Sequence, residues 1–405
     1  MKSSIRKALE NRILLLDGGM GSLIQDYNLT EDDFHSDIIP TTSIPLKGDN
    51  DILNITRPDI ISQIHRRYLE SGADIITTNT FSSQIISQKE YNLTDFVDSL
   101  NREGVRIARE EADRMTSITP DKPRFVVGDV GPTSKMLSMS EDVNDPASRA
   151  ITFDQLETAY LQQIKILIDG GVDAILVETI FDTLNAKAAI SAYLKLKDES
   201  IDIEHFPEIM LSMTVSDSSG RTLSGQTIEA FVTSVEHCNP LSIGLNCGLG
   251  ASGMIPYLRQ LNQCSTSFVS CHPNAGLPNQ FGQYDDTPED MVSQMKPYFT
   301  ESLVNIIGGC CGTTPAHISA MRELIDSSSI YPIHSIKNRN DLKLRLAGLE
   351  PSIVDSSTFF NVGERCNVAG SRKFLRLINE KNYDEALDIA RKQVEDGAMA
   401  IDKNM

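Results

Sequence analysis

The sequence LVNIIGGCCGTTPAHI, residues 303–318, joins a short apolar run to a glycine-rich turn and then to a segment that begins with Thr314 and Pro315. An apolar run of this length predicts a buried strand, and a Thr-Pro pair is typical of a helix start. The turn between them holds two adjacent cysteines, Cys310 and Cys311. The segment is therefore one strand-turn-helix unit that places two thiols where a buried strand ends.

Seven further apolar runs resemble this one, and most are followed by an amphipathic segment of helical period. In chain order the eight runs are ILLLD, DIITTN, RFVVGD, AILVET, IMLSMTV, SIGLNC, SFVSCH and VNIIGG. Repeated strand-helix units indicate a parallel sheet in an α/β fold, and eight of them in about 325 residues predict a (β/α)8 TIM barrel. The alternative is an open, doubly wound sheet, whose GxGxxG fingerprint is missing.

The adjacent cysteines favour a metal site. Neighbouring cysteines form a disulfide only with distortion of the peptide between them, whereas two thiolates readily hold one soft cation. Cys247, in GLNCG, also follows an apolar run and precedes a glycine, and it supplies a third thiolate. Three thiolates leave one position free on a tetrahedral zinc ion, as in catalytic zinc sites. The alternative is a set of reduced, inert thiols.

The remaining thiols rank lower as ligands. Cys271 and His272 end the seventh run and compete for the metal, whereas Cys238, Cys264 and Cys366 are interpreted as structural. Barrel active sites lie at the carboxyl ends of the strands. We therefore expect the polar residues that end the runs to converge there, although each one alone is more often a helix cap. They are Asp17, Thr78, Asn79, Asp129, Glu178, Asn246, Cys247, His272, Cys310 and Cys311.

Composition excludes several kinds of partner. The 405 residues include 56 acidic and 37 basic ones, which gives a formal charge of −19 and no basic stripe. Nucleic acid and anionic membranes are therefore not expected partners. The apolar run near the N-terminus is too short for a signal peptide or a membrane span. Seven cysteines in a long chain are typical of a reducing compartment, so we predict a cytoplasmic protein.

The domain organisation changes after the eighth unit. We predict a barrel over residues 1–328 and a linker over 329–354, where serine, proline and basic residues replace the helical period. Residues 355–405 then read as strand, helix and strand. One βαβ unit cannot cover both faces of its strands, so it is interpreted as the start of an incomplete second barrel.

The chain resembles the cobalamin-dependent methionine synthases, which move a methyl group from methyltetrahydrofolate to cobalamin and then to homocysteine. The resemblance rests on LLLDGGMGSLIQ, DVGPTSKMLS, ILVETIFDTLNAKAAI, GLNCGLG, HPNAGLPNQFGQY and GGCCGTTPAHI. FFNVGERCNVAGSRKF is similar to the entry of that family's folate-binding barrel, and we expect the chain to end two strands into it.

The resemblance implies a function and a set of site residues. Zinc would be held by Cys247, Cys310 and Cys311, and would activate the homocysteine thiol for attack on methylcobalamin. Partner modules or chains would carry the cobalamin and the folate. The substrate's amino and carboxylate groups would be held by residues of the first, fourth and sixth runs, and we add Thr78, a polar residue that ends the second run. These are Asp17, Gly18, Gly19, Thr78, Glu178 and Asn246.

Two other functions stay open. One is a stand-alone zinc homocysteine methyltransferase that uses betaine or S-methylmethionine, although the GERCNVAGSRKF segment speaks against it. The other is a non-catalytic zinc- or thiol-binding module, which a fourth protein ligand such as Cys271 or His272 would favour.

Overall fold

The computed structural model describes residues 4–39, 43–145, 148–215, 219–328, 334–336, 343–355 and 357–405. Contacts divide the chain into two units. One comprises Met1–Arg339 with Ala347–Pro351, and the other comprises Asn340–Leu346 with Ser352–Met405. Among the described residues, no helix is both long enough and apolar enough to cross a bilayer.

The first unit contains eight parallel strands in the order β1-β8-β7-β6-β5-β4-β3-β2. The strands are β1 (Leu14–Leu15), β2 (Ile75–Thr77), β3 (Phe125–Val130), β4 (Ala174–Ile180), β5 (Glu208–Met213), β6 (Ser242–Gly250), β7 (Phe268–Asn274) and β8 (Ile306–Ile307). A parallel bridge between Leu16 and Ile75 joins the two ends of this order, β1 and β2. The prediction of a (β/α)8 barrel is therefore confirmed, and the open sheet is wrong.

The first unit also contains α-helices, and all of those described except α1 lie after a strand in the chain. They are α1 (Ile5–Leu9), α2 (Met20–Asp26), α3 (Leu53–Thr56), α4 (Pro58–Glu70), α5 (Ile85–Gln88), α6 (Val97–Ile118), α7 (Phe153–Asp169), α8 (Thr183–Glu199), α9 (Ile228–Val235), α10 (Ala251–Cys264), α11 (Pro288–Thr300) and α12 (Pro315–Ser327). The Thr and Pro start signals act as expected. Thr152, Thr287 and Thr314 form capping boxes, which satisfy amide groups that a helix leaves free at its first turn.

The barrel interior is apolar at one end and polar at the other. Ile5 and Leu9 of α1 pack with inward residues of the strands, among them Phe125 and Val127 of β3, in one buried cluster. Side chains alternate along a strand, so Asp129 has the same inward parity as these two residues. The strands therefore carry polar side chains into the barrel at their carboxyl ends.

The second unit holds a parallel pair of strands, β11 (Val362–Asn367) and β12 (Ala400–Asn404), joined through α13 (Arg372–Asn379) and α14 (Tyr383–Glu395). Its small core contains Cys366, Phe374, Leu377 and Ala386. The segment predicted as a linker is not wholly irregular, because β9 (Leu344–Ala347) and β10 (Pro351–Val354) form a two-stranded sheet. Residues 329–333 and 337–342 of that segment lie outside the described residues.

Candidate active site

Two β-bulges lie at the carboxyl ends of β4 and β6. The register of β4 against β5 shifts between Val177 and Ile180, and that of β6 against β7 shifts between Asn246 and Gly250. A bulge bends its strand and redirects a side chain. Glu178 lies in the first bulge and Cys247 in the second, and both line the cavity at this end of the barrel.

Asn246 connects the two bulges. Its Oδ1 accepts hydrogen bonds from the backbone N–H of Thr179 at 3.1 Å and from Ser212 Oγ at 2.7 Å, while its Nδ2 donates to Thr179 Oγ1 at 2.8 Å. Thr179 has φ of 55°, a left-handed conformation that a β-branched residue rarely adopts. The Asn246 side chain is fully buried and is not part of the cavity lining. It therefore holds the backbone beside Glu178.

The three predicted thiols come together. The sulfur atoms of Cys247, Cys310 and Cys311 all lie within 4.8 Å of one another, and those of Cys247 and Cys311 are 3.8 Å apart. A tetrahedral zinc ion with Zn–S bonds of about 2.3 Å would hold its sulfurs about 3.8 Å apart. In the described parts of the chain this is the one group of three or more Cys, His, Asp or Glu residues compact enough for a metal ion. The donor set fits zinc.

The thiols share negative charge even without a cation. Hydrogen bonds from Cys310 and Cys311 to the Cys247 sulfur lower the pKa of Cys247 to about 2, despite its burial. The same bonds raise the pKa of the Cys310 and Cys311 thiols. These hydrogen bonds therefore favour negative charge on the Cys247 sulfur. A bound cation would deprotonate the other two.

Backbone contacts fix the turn that carries two of these thiols. The N–H of Cys311 donates to Asn274 Oδ1 at 3.1 Å, and the N–H of Cys310 donates to the Pro273 carbonyl at 3.0 Å. A side-chain carbon on Gly19 would lie 2.7 Å from the Cys310 carbonyl oxygen. Only glycine fits between the first-strand loop and the cysteine turn at this point.

Gly18 is similarly restricted by its neighbours. A side-chain carbon there would lie 2.7 Å from Thr313 Oγ1 and 2.9 Å from the Tyr68 ring. Thr313 Oγ1 also accepts a hydrogen bond from the Gly19 N–H at 3.0 Å. Gly18 and Gly19 line the cavity through their backbone, as close-packed positions.

Asp17 and Glu178, the two carboxyl groups predicted to bind the substrate, both line the cavity. Asp17 accepts from the Thr77 N–H at 2.9 Å and lies 3.3 Å from Thr77 Oγ1 through each carboxylate oxygen. Burial raises the pKa of Asp17 to about 8, and the negative charge of Glu178 adds to this. Burial also raises the pKa of Glu178, to about 7. Both groups would gain from a positively charged ligand, because a cation favours the ionised carboxylate.

Thr78 lines the cavity, but its hydroxyl is engaged within the protein. Thr80 Oγ1 donates to the Asp129 carbonyl at 2.8 Å, so at the 2.6 Å contact between the two threonines Thr78 is the donor. Thr78 Oγ1 also accepts from the Asp129 N–H at 3.0 Å. Thr78 therefore fixes the end of β3 and has no free donor for a substrate.

Neither competing ligand joins the metal cluster. The Cys271 sulfur lies 3.3 Å from Met254 Sδ and 3.6 Å from Tyr298 Oη, in the layer between strand and helices. His272 lines the cavity but does not belong to the compact sulfur group. The other three thiols also lie outside it: Cys238 follows α9, Cys264 ends α10, and Cys366 belongs to the second unit.

The cavity has a volume of about 1010 Å³ and an acidic lining. Its lining includes seven carboxyl groups and, among the described residues, no lysine or arginine. The seven are Asp17, Asp26, Asp49, Asp51, Glu90, Asp129 and Glu178. Sequence reasoning missed Asp26, Asp49, Asp51 and Glu90, because they follow no strand. The run GDNDI at residues 48–52 was the one available signal for two of them.

Comparison with known proteins agrees with this geometry. The model of the family described as homocysteine S-methyltransferase matches residues 14–325. The metallated form of the homocysteine methyltransferase MmuM from Escherichia coli is similar at 19% identity and a TM-score of 0.62, covering 79% of this chain and 99% of that one. The oxidized form of the same protein is similar at 19% identity and a TM-score of 0.61, covering 80% of this chain and 99% of that one. At this identity the solved structures show the fold alone, whereas the family model spans most of the chain. This protein belongs to the homocysteine S-methyltransferase family.

Proposed function

We propose that this protein is the homocysteine half of a methionine synthase, in which zinc held by Cys247, Cys310 and Cys311 activates the homocysteine sulfur for methyl transfer. The observation that carries the proposal is the three-sulfur cluster on the wall of a large cavity, with spacing that suits zinc and no fourth Cys, His, Asp or Glu ligand among the described residues. An open position is the mark of a catalytic zinc site.

The chemistry requires a thiolate. When bound, zinc would keep the substrate thiol ionised at neutral pH, whereas a free thiol with a pKa of about 8.5 is only a few per cent ionised. Three cysteine thiolates outweigh the charge of a divalent cation, so the site stays electron-rich and favours alkyl transfer over activation of water. Gly248 and Gly312 flank the cysteines at positive φ, a backbone conformation that glycine adopts without strain.

The remaining residues would orient the amino acid. Glu178 and Asp17 supply negative charge for the substrate ammonium group, and the backbone at Gly18 and Gly19 forms the neighbouring wall. Asn246 and Thr78 act as positioning residues, because their side chains bond to the backbone beside Glu178 and Asp129.

The donor in this proposal is methylcobalamin, presented by another module or chain. Its support is the resemblance to methionine synthases, including the similarity of residues 359–374 to the entry of a folate-binding barrel. We propose that residues 1–328 form the homocysteine-binding barrel, that 329–354 link it onward, and that 355–405 begin a pterin-binding barrel. The parallel β11–β12 pair with its two helices is compatible with such a start.

One observation favours a second candidate, a small onium donor such as betaine or S-methylmethionine. Seven carboxyl groups and no basic side chain line the described cavity, and such a field attracts cations. A non-catalytic zinc module is less well supported, because neither Cys271 nor His272 joins the sulfur cluster.

Methionine formation by the purified protein tests these candidates. Homocysteine would be supplied with free methylcobalamin, betaine or S-methylmethionine, and bound zinc would be quantified before and after chelation. We expect product from methylcobalamin in proportion to zinc, loss of both in Cys247→Ser, and retention of both in Cys264→Ser, which changes a thiol outside the cluster. Turnover with an onium donor alone would transfer the assignment to the second candidate. Stoichiometric zinc without turnover on any donor would favour the binding module.

A further inference from the structure

The loop between β7 and α11 packs against the cysteine turn. The N–H of Ala275 donates to the Cys311 carbonyl at 3.0 Å, and the N–H of Asp286 donates to the Ala275 carbonyl at 3.1 Å. Between these two ends of the loop, an antiparallel bridge joins Pro278 and Tyr284. The loop therefore closes on itself at the cysteine turn, two residues from Tyr284.

Contacts to two helices fix the backbone beside Tyr284. His317 Nδ1 accepts from the Thr314 N–H at 3.2 Å, so in the neutral ring Nε2 carries the proton and donates to the Asp286 carbonyl at 2.9 Å. The Asp286 carboxylate accepts from the Gln294 side chain of α11 at 2.9 Å. None of these contacts involves a cysteine side chain, so Tyr284 is placed at the site independently of the thiols.

The Tyr284 side chain lies directly against the residue that follows Cys311. Gly312 has φ of 78°, and a side-chain carbon on it would lie 2.3 Å from Cβ and 2.5 Å from Cγ of Tyr284. Tyr284 also lines the cavity together with the three cysteines of the cluster. Glycine at position 312 therefore allows the tyrosine to approach the Cys311 sulfur.

A hydrogen bond joins the Tyr284 hydroxyl to the Cys311 sulfur. Burial raises the pKa of Tyr284, and the charge of Cys311 and this hydrogen bond raise it further. The pKa of the Cys311 thiol is raised chiefly by its hydrogen bond to Cys247, whereas the bond with Tyr284 lowers it. A bond that keeps the proton on the phenol and favours the thiolate has the phenol as its donor.

Several sulfurs compete for a methyl group at a site of this kind. A thiolate is methylated when its lone pair forms a bond to the methyl carbon and the carrier leaves with the electron pair of the broken bond. Cys247 and Cys311 are both partly exposed at the cavity wall, so their sulfurs are open to the same donor as the substrate's. A charge-assisted hydrogen bond withdraws electron density from the sulfur that accepts it, and this lowers the reactivity of that sulfur.

We propose that Tyr284 is a positioning residue that donates a hydrogen bond to the Cys311 sulfur and protects it from methylation, so that the methyl group goes to the substrate. This rests on the proposed function, since it assumes a site that receives methyl groups. The Cys247 sulfur, which accepts from the Gly248 N–H and the Asn274 side chain, serves as the internal comparison.

The test is alkylation of the zinc-saturated protein by iodoacetamide without homocysteine, in which the sulfur displaces iodide from carbon. Tandem mass spectrometry distinguishes Cys310 from Cys311. We expect Tyr284→Phe to raise the rate at Cys311 by about three- to tenfold, because about half of the free energy of a charged hydrogen bond is felt in the reactivity of the sulfur. The rate at Cys247 should keep its wild-type value. During turnover, the same variant should accumulate S-methylcysteine at position 311.

A second tyrosine of the cavity provides the matched control. Tyr91 lines the same cavity, and besides burial its pKa responds to the charges of neighbouring carboxylates. Tyr91→Phe should therefore leave the rate at Cys311 unchanged. If Tyr284→Phe does not fold, Tyr284→Met removes the same hydroxyl with an adaptable side chain. An unchanged rate at Cys311 in the folded, zinc-saturated variant would overturn the proposal.

Cobalt in place of zinc provides a readout that a merely structural role would not move. The sulfur-to-cobalt charge-transfer band should shift to longer wavelength in Tyr284→Phe and stay in place in Tyr91→Phe, because the hydrogen bond lowers the energy of the sulfur lone pair. This shift with faster alkylation of Cys311, in a protein that forms no methionine from any donor, would support the hydrogen bond and refute the proposed function. Equal spectra and equal alkylation rates would overturn the role of Tyr284 even if methionine forms.

Discussion

Replacing Asn246 by alanine should destabilise the barrel more than its size suggests. The substitution removes three hydrogen bonds and leaves the Ser212 hydroxyl and the Thr179 N–H buried without partners. Each such group costs about 1–3 kcal/mol, so we expect the free energy of unfolding to fall by about 2–5 kcal/mol. Ser212→Ala is the matched control, because it removes one of the three bonds and should cost only about 1 kcal/mol.

The same substitution should impair substrate binding at a distance. Asn246 holds both polar groups of Thr179, whose left-handed conformation directs the neighbouring Glu178 into the cavity. Small displacements of a binding group reduce rates by up to about a hundredfold. We therefore expect Asn246→Ala to raise KM for homocysteine at least about tenfold, while Ser212→Ala changes it by less than about threefold.

Urea denaturation, steady-state kinetics and zinc quantification on both variants provide the assay. A loss of stability in Asn246→Ala no larger than that of Ser212→Ala would contradict the role given to the asparagine. So would a wild-type KM in a folded Asn246→Ala protein that retains its zinc.

Three further predictions concern the metal and the acidic residues. Cys311→Ser should lower bound zinc to well below one equivalent on metal analysis, since it removes one of three sulfurs; stoichiometric, chelator-resistant zinc in this variant would argue against the cluster. Cys271→Ala should keep full zinc and lose about 1–2 kcal/mol of stability in denaturation, because its sulfur packs between strand and helices; loss of zinc would restore it as a ligand. Burial raises the pKa of Glu111, but hydrogen bonds from Arg66 and Arg114 outweigh it and lower the pKa from its ordinary value of 4.5 to about 2. Its ionised form therefore stabilises the fold above about pH 4.5, and this is lost as the pH falls towards 2. Glu111→Gln should cost about 1–2 kcal/mol at pH 7 and nearly nothing at pH 2, and an equal cost at both would exclude the ion pairs as its cause.

The barrel could be predicted because its signal is periodic. Each strand is a short apolar run and several long helices begin at a Thr or Pro, so the eight units and their polar ends could be predicted. The cysteines could be brought together before any coordinates, because carboxyl ends of parallel strands meet at one end of a barrel. The second unit's strands were readable for the same reason.

The details that position the site have no such signal. A bulge adds one residue to a strand without changing its composition, so the turns at Thr179 and Cys247 were not foreseen. Asn246 was expected to face the substrate, and the alternation of side chains along β6 does place it on the inward side of the strand. Its partners on β4 and β5, Thr179 and Ser212, depend on the sheet's register, which the sequence pattern does not give. The acidic residues near position 50 come from an irregular segment and become part of the site only through folding.

The charge of the cavity places a condition on the methyl donor. The cysteine cluster carries negative charge at one end, and seven carboxyl groups line the space beyond it. An amino-acid thiolate could enter this field because its ammonium group offsets the charge of its sulfur, with Glu178 and Asp17 as the carboxyl groups proposed to meet it. A donor with several carboxylates of its own, such as methyltetrahydrofolate, would further oppose the ionisation of the same groups. Under the proposed function we therefore expect the methyl group to arrive on a neutral or cationic carrier. Methylcobalamin from a partner and a small onium compound both meet that condition, and direct transfer from folate at this cavity does not.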